Sequence, residues 1–390
     1  MIRSTLAGKV ELHRGQSYKS ALLDEPGPYL LGLGTIARNG GFSGGSLRTY
    51  GGESPDRILL HPGDLYLSLK DVTHKAELLG AVARVPADVP LGRLTQDTVR
   101  LQVTSPEVNA DYLYWLLRSP DYRAYCRMRG TGTTNLDLSR ADFLGYEFLL
   151  PAVPEQEAIA EVLGALDDKI AANTALAAAA DDLVRAEYAA LGPKSVHVGD
   201  VAVSPREGVD PSSADPRALY VGLEHLGRRH MWLTDGGRAA EVSSAKSRFE
   251  PDDILFGKLR PYFHKVVSAP RGGICSTDIL VVRARDAQFS SVLLAALTSD
   301  AVVEKVVAAS EGTRMPRTSW KDLSSVEIRW PEPASAGGLA ERLESIRDAT
   351  DAALAENRTL AATRDALLPQ LMSGKLRVRD AEQVVAAAGA

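Results

Sequence analysis

Cysteine is nearly absent from this chain of 390 residues: Cys126 and Cys275 stand far apart, with no histidines clustered about them. That arithmetic speaks against a disulfide framework and against a cysteine-based zinc site. Long apolar runs are missing too. Nothing approaches the ~18 consecutive apolar residues of a membrane span. The opening "MIRSTLAGKVELHRGQSYKS" lacks an apolar core of signal-peptide length, so a cytoplasmic location without membrane contact is expected. Enzyme motifs are equally scarce. "GLGTIA" at Gly32 fits a dinucleotide fingerprint in letters, but "RNGGFSGG" follows and would break the helix such a site needs. "SGK" at Ser373 lacks the preceding glycine of a phosphate loop, and no nucleophile elbow occurs. Catalysis by this chain alone is not expected.

What is present is ordinary in bulk and unusual in arrangement. Hydrophobic residues make up 45% and charged residues 24%, as in a folded globular protein, and the length suits two or three domains. The net charge of −5 argues mildly against a nucleic-acid partner. Much of the acid, however, lies in helix-like segments such as "PEQEAIAEVLGALDDK" and "AERLESIRDATDAALAEN", which leaves loops elsewhere free to be basic.

The chain repeats itself. "GTTNLDLSRADFLGYEFLLPAVP" from Gly132 and "GTRMPRTSWKDLSSVEIRWPEP" from Gly312 share Gly, Thr, Ser, Asp, Glu and Pro in one order. Gly132, Thr133, Ser139, Asp142, Glu147 and Pro151 answer to Gly312, Thr313, Ser319, Asp322, Glu327 and Pro331. The offset is constant at about 180 residues, far beyond any solenoid period. Earlier in each copy, "LHPGDLYLSL" is echoed by "FEPDDILFGKL". Short apolar runs bounded by Gly, Pro and Asp predict strand-rich modules, with short helices in "NADYLYWLLRSPDYRAYCRM" whose face carries Tyr112, Leu113, Leu116 and Leu117.

Each module is followed by a long helical stretch. The first carries a heptad seam through Ile159, Leu163, Leu166, Ile170, Asn173, Ala177, Ala180 and Val184. The second carries Leu339, Leu343, Ile346, Thr350, Ala353, Asn357, Leu360, Arg364, Leu367 and Leu371, with Gly374 as a C-terminal cap. "DKIAANTAL" over "AALAENRTL" places Asn173 on Asn357. The expected organisation is α+β: a mixed α/β module over 1–153, a helix over 154–192, a second module over 193–333, a second helix over 334–375 and a tail over 376–390 whose end, "EQVVAAAGA", is expected to fray. Two such helices pair most simply antiparallel, which gives an internal pseudo-twofold repeat. The apolar faces of the helices look too extensive for one pair to bury.

The phrases "LPAVPEQEAIAEVLGALDDKIAANTAL", "YVGLEHL", "LFGKLRPYFHKV" and "LLPQLMSGKLRV" make the chain similar to the specificity subunits of type I restriction–modification systems. The resemblance covers essentially the whole chain, though the first module follows the family's wording less closely. It implies two target-recognition domains, each reading one half of a split double-stranded DNA target, spaced by the two helices. It implies assembly with two adenine methyltransferase subunits that bring S-adenosylmethionine, and with restriction subunits that bring ATP and magnesium; no cofactor is expected on this chain. The Asp- or Asn-Pro-Pro-aromatic stretch of such methyltransferases is absent here. The rival readings are a scaffold of another phage-defence complex without sequence-specific methylation, and a stand-alone nuclease, which the lack of an acidic-plus-lysine metal motif disfavours.

Candidate DNA contacts follow from residue chemistry. "FGKLRPYFHK" offers Lys258, Arg260, Tyr262, His264 and Lys265 without an acid among them, suited to phosphates and base edges. A solvated edge strand with Tyr262 in the core is the alternative. Arg314 and Arg317 flank a proline in a loop, and arginine is the bidentate reader of guanine. The matching loop of the first module carries Thr133, Thr134 and Asn135, and its basic stretch carries Lys70, His74 and Lys75. His74 has no partner ligands nearby for a metal. Asn173 and Asn357 are expected to set the helix register, unless rotation carries them to the rim.

Overall fold

The structure is a computed structural model that describes residues 2–73, 75–133, 135–310 and 316–389, with the backbone alone at 46, 387 and 388. The chain forms two compact units, Met1–Lys169 with Thr359–Ala390, and Ile170–Arg358. The helices are therefore not bodies of their own. Each unit takes one module together with a length of both helices.

In the first unit, strand Ile2–Thr5 closes the module by pairing antiparallel with Glu147–Leu150. A four-stranded antiparallel sheet runs Val10–Arg14, Thr98–Val103, Leu65–Ser68, Val82–Arg84. A smaller sheet sets Tyr29–Leu31 parallel to Gly92–Leu94, with Leu59–Leu60 antiparallel on its other side. Leu31, Ile58, Leu60, Tyr66, Ala83 and Leu94 form a core. Helices Ala110–Leu116, Pro120–Arg129 and Arg140–Leu144 start on the side-chain caps Asn109, Ser119 and Ser139. Tyr112, Leu113, Leu116 and Leu117 are all buried, as their spacing predicts.

The second unit repeats this plan. Ser195–His197 pairs with Glu327–Arg329. A four-stranded sheet runs Ala202–Val203, Ile279–Ala284, Ile254–Gly257, Val266–Ser268. Leu219–Val221 lies parallel to Gly273–Cys275 in a sheet enlarged to five strands. Helices Ser290–Leu297, Asp300–Ala309 and Trp320–Ser324 follow.

The repeated letters are the residues that make turns and caps. Gly63 at φ +90° and Asp252 at φ +68° occupy the same tight turn. In that turn Asp64 accepts from the His61 amide at 2.9 Å, and Asp253 accepts from the Glu250 amide at 2.7 Å. The same two acids pair with Arg100 at 3.3 Å and Arg283 at 2.7 Å on the neighbouring strand. Ser139 accepts from the Asp142 amide, as Ser319 does from that of Asp322. Local hydrogen bonding of this kind dictates residue type, which is why it survives repetition.

The long helices run Val153–Ala189 and Pro333–Met372, and Gly374 at φ +68° ends the second as a cap. In the second unit Asn173 Nδ2 donates to Asn357 Oδ1 at 3.0 Å and Arg342 donates to Glu187 at 2.9 Å. One number rises as the other falls, so the helices pair antiparallel. In the first unit the pairing continues with Arg364 on Asp167, which settles an arginine at a seam position. The seam residues of the first helix are buried except Ile170, which is half-buried. Each module is bolted to its helix by polar contacts. Gln156, fully buried, accepts from the Asn109 amide and donates to the Glu107 and Pro151 carbonyls. In the second unit Trp232 donates to the Ala177 carbonyl, Asp181 accepts from the Met231 amide, and Arg185 donates to the Thr298 and Arg229 carbonyls. No helix among the described residues is long and apolar enough to cross a membrane.

The tail differs from expectation. Val378–Ala388 is a helix rather than a frayed end, because Ala381 and Val385, four apart, are buried.

One acid on the second long helix is held at a cost. Burial beside Asp252 and Asp348 pushes Asp351 up to about 6, against the pull of Arg347 and Arg358. The fold thus favours its neutral form; that contribution is full below about pH 4 and is lost as pH rises through 6. Asp351→Asn should raise stability by about 1 kcal/mol at neutral pH, allowing for solvent screening, and by little near pH 4. Thermal unfolding of both proteins across that range checks it; equal gains at both ends would refute the assignment.

Candidate nucleic-acid interface

In the second unit the strand that ends at Gly257 delivers Lys258 to the wall of a cleft of about 580 Å³. The Lys258 amide donates to the Asp278 carbonyl, its own carbonyl accepts from Thr318, and Leu259 bridges Arg317 antiparallel. These bonds set Lys258 and Arg317 on one cavity, which Arg206 and Lys246 also line, with Trp320 beside them. Lys258 Nζ donates to the Thr277 carbonyl at 2.6 Å, and Arg317 forms an ion pair with Asp278. Burial lowers the Lys258 pKa, and the Arg317 and Arg206 guanidiniums lower it further. Cations that repel one another across a recess are stabilised by an incoming anion. The arrangement suits a phosphate or an acceptor-rich base edge.

The first unit carries the same cleft at the same place. Leu136–Asp137 pairs antiparallel with Lys70–Asp71, so the Lys70–Asp137 pair occupies the position of Leu259–Arg317. Arg14, Lys70, Gln96, Asp97, Asp137 and Arg140 line about 170 Å³. Lys70 is ion-paired with Asp97 at 3.5 Å. A second recess of about 350 Å³ shares Gln96 and Asp97 and adds Tyr18 and Arg48. Thr133 and Asn135 are exposed in the turn between the bridge at Thr131 and strand Leu136–Asp137. Gly132 makes that turn at φ +118°, where a Cβ would stand 2.0 Å from the Asn135 carbonyl oxygen. Lys75 is exposed at the head of a loop that buried Arg123 clamps through the Ala76, Glu77 and Leu79 carbonyls.

The remaining expected contacts divide. Tyr262 is 49% exposed, so it is not the core residue of the edge-strand alternative; Pro261 is buried instead. Arg260, at φ +51°, lies 6.0 Å from the Phe263 ring, and its Nε has no partner among the described residues. Lys265 is half-buried with Nζ donating to the Leu223 carbonyl. His264 departs from expectation. Its ring is 2% exposed and bonds the Thr298 carbonyl through Nε2 at 2.6 Å, and burial lowers its pKa. It serves the fold and does not reach a ligand. His74, Thr134 and Arg314 lie outside the described residues. Asn173 and Asn357 meet across the helix pair, with Asn357 Nδ2 also donating to the Ile170 carbonyl at 3.3 Å.

Sequence reasoning passed over Arg206, Lys246, Asp97, Asp278, Asp137 and Arg140. A signal existed for some of them. "LTQDTVRLQV" and "CSTDILVVRA" repeat an Asp immediately ahead of a strand, and Asp137 and Arg317 each stand two residues before the capping serine.

No protein-family model matches the chain. The chain is 28% identical over 106 residues to the type I restriction enzyme EcoDI specificity subunit of Escherichia coli. The match spans 27% of this chain and 23% of that protein, about a quarter of the relative's length. In fold, the chain is similar to the S subunit of a type I restriction–modification system from M. genitalium, with a TM-score of 0.59 at 14% identity. That similarity covers 95% of this chain and 96% of the other. The HsdS subunit from Thermoanaerobacter tengcongensis aligns over 96% and 97% of the two chains at 17% identity, with a TM-score of 0.35. The resemblance to type I specificity subunits thus holds in a stretch of sequence and, for the M. genitalium subunit, in the fold along nearly the whole chain.

Proposed function

We propose that this chain is the DNA-recognition subunit of a type I restriction–modification complex, in which each module reads one half of a split double-stranded target. The observation that carries this reading is the pair of clefts. They are built at one place in two copies of a fold, hold cations in both, and differ in lining. Shared residues keep the fold and unlike residues face the ligand, as two half-sites of different sequence require. Adenine methylation and restriction belong, in this reading, to partner subunits, which bring S-adenosylmethionine, ATP and magnesium; the chain itself contributes recognition and spacing.

The partner surface lies on the first long helix. Ala172, Leu176, Ala179, Leu183 and Ala186 are exposed and alternate steps of four and three, which makes a second heptad stripe beside the buried seam. A methyltransferase subunit fits that stripe through an apolar helix of its own.

The test is methylome sequencing of a host that expresses this chain with its methyltransferase. A new split adenine motif is expected; no motif favours the scaffold reading. Lys258→Ala should weaken binding of the complex to every DNA sequence alike and reduce the slope of log K against log salt by about 0.9. An unaltered slope in anisotropy titrations would remove Lys258 from the phosphate-binding groups.

A further inference from the structure

Asp137 and Arg317 differ in charge yet occupy one position. Each is bridged antiparallel to the segment after a central strand, Asp137 to Lys70 and Arg317 to Leu259. Each precedes a buried residue, Leu138 or Thr318, and then a serine that caps a short helix. The position is therefore fixed on both sides by bonds common to the two modules. Each residue lines its cleft and is exposed. The acid that opens the neighbouring strand, Asp97 or Asp278, stands beside each cleft and takes a cation from it: Lys70 in the first module, Arg317 in the second.

We propose that Asp137 and Arg317 are the matching base-reading residues of the two modules, and that they read edges of opposite hydrogen-bond polarity. The inference rests on the DNA-recognition function proposed above and deepens it. A position that holds a carboxylate in one module is not a phosphate contact there, because like charges repel. What a carboxylate can take from DNA at such a place is a donor on a base edge, the amino group of cytosine or adenine in the major groove. The Asp137 carboxylate has no ion-pair partner among the described residues, since Lys70 is engaged by Asp97. In the second module the same place holds a guanidinium ion-paired with Asp278. A guanidinium carries five N–H donors in a fixed fork, more than one carboxylate can take up, so a carboxylate beside it holds the fork and leaves donors for a base. A free fork edge matches the paired acceptors O6 and N7 of guanine. Asp278 is a positioning residue in this arrangement, acting through Arg317.

The experiment sequences the methylome of the complex carrying wild-type chain, Asp137→Ala, Arg317→Ala or Arg317→Lys. The wild-type complex supplies the split motif. Asp137→Ala is expected to relax discrimination at one base pair of one half-site, by about tenfold or more. Arg317→Ala is expected to relax a guanine-containing pair in the other half-site to the same degree. Arg317→Lys should relax that same pair, since lysine keeps the charge and loses the fork. In each variant the untouched half-site reports that the complex is folded and assembled. A split wild-type motif with full discrimination retained in the variants would overturn the inference and leave the recognition function standing. A uniform loss of methylation across all sites, in Arg317→Lys as in the alanine variants, would also overturn it, because that is the signature of a phosphate or structural role. A wild-type complex without any split motif would remove the recognition function itself, and this inference with it.

Discussion

Leu176→Asp combined with Leu183→Asp should abolish assembly with the methyltransferase and with it all DNA methylation, while leaving the chain folded. Both leucines lie on the first long helix at 45% and 49% exposure, although the helix turns its Asn173, Ala177, Ala180 and Val184 face into the fold. An apolar residue every three to four positions on an open face has no role in the isolated chain. It needs a covering surface, and a helix with its own heptad pattern is the natural one. Completing the burial of two leucines contributes about 1–3 kcal/mol each, less the share already buried. Replacing them by charges adds a desolvation penalty that a complex of moderate affinity would not survive. Co-purification and size-exclusion chromatography measure the loss, and thermal unfolding of the variant chain is the control. A double variant that binds its methyltransferase as the wild type does would sink the docking assignment.

The parts of the molecule legible from sequence are those that rest on period and on local hydrogen bonding. The heptad seams declare themselves because a helix must bury one stripe, and the cap serines and turn aspartates recur because their geometry allows few substitutes. The paired clefts are less legible. Their walls come from four separated segments in the first module and five in the second, for example those of Arg206, Lys258 and Arg317, and nothing local marks those segments as neighbours. The inward turn of His264 is not legible in the sequence for a definite reason. Arg260 and His264 both adopt left-handed backbone at the ends of a one-turn 3-10 helix, and that turn swings the ring inward onto Thr298. Positive φ at non-glycine residues leaves little trace in a sequence. The tail helix is not legible either, because a short run of alanines and valines reads as well as a fraying end, and tertiary burial at Ala381 and Val385 decides the matter.

Lengthening the two long helices together should change the spacing of the DNA target and nothing else about it. Each module is fixed to helix by polar bonds, those of buried Gln156 in one unit, and those of buried Asp181 and half-buried Arg185 in the other, so a module must follow its helix. Four residues inserted after Lys169 and four after Arg358 fall at the divisions between the compact units. Placed there, they keep Asp167 with Arg364 on one side, and Asn173 with Asn357 and Glu187 with Arg342 on the other. Insertion in one helix alone would slide the antiparallel register and part those pairs. Four residues add about 6 Å at 1.5 Å per residue, close to two base-pair steps of about 3.4 Å. They also advance the helix by little more than one turn, so the apolar seam nearly keeps its face. The residual rotation does not match the twist of two base pairs, which favours a gap longer by one or two over any larger change. The expected result, in single-molecule methylation sequencing of the double insertion with its methyltransferase, is a motif with unchanged half-sites and that longer gap. An active double insertion that still modifies the original spacing would show that the helices do not set the distance.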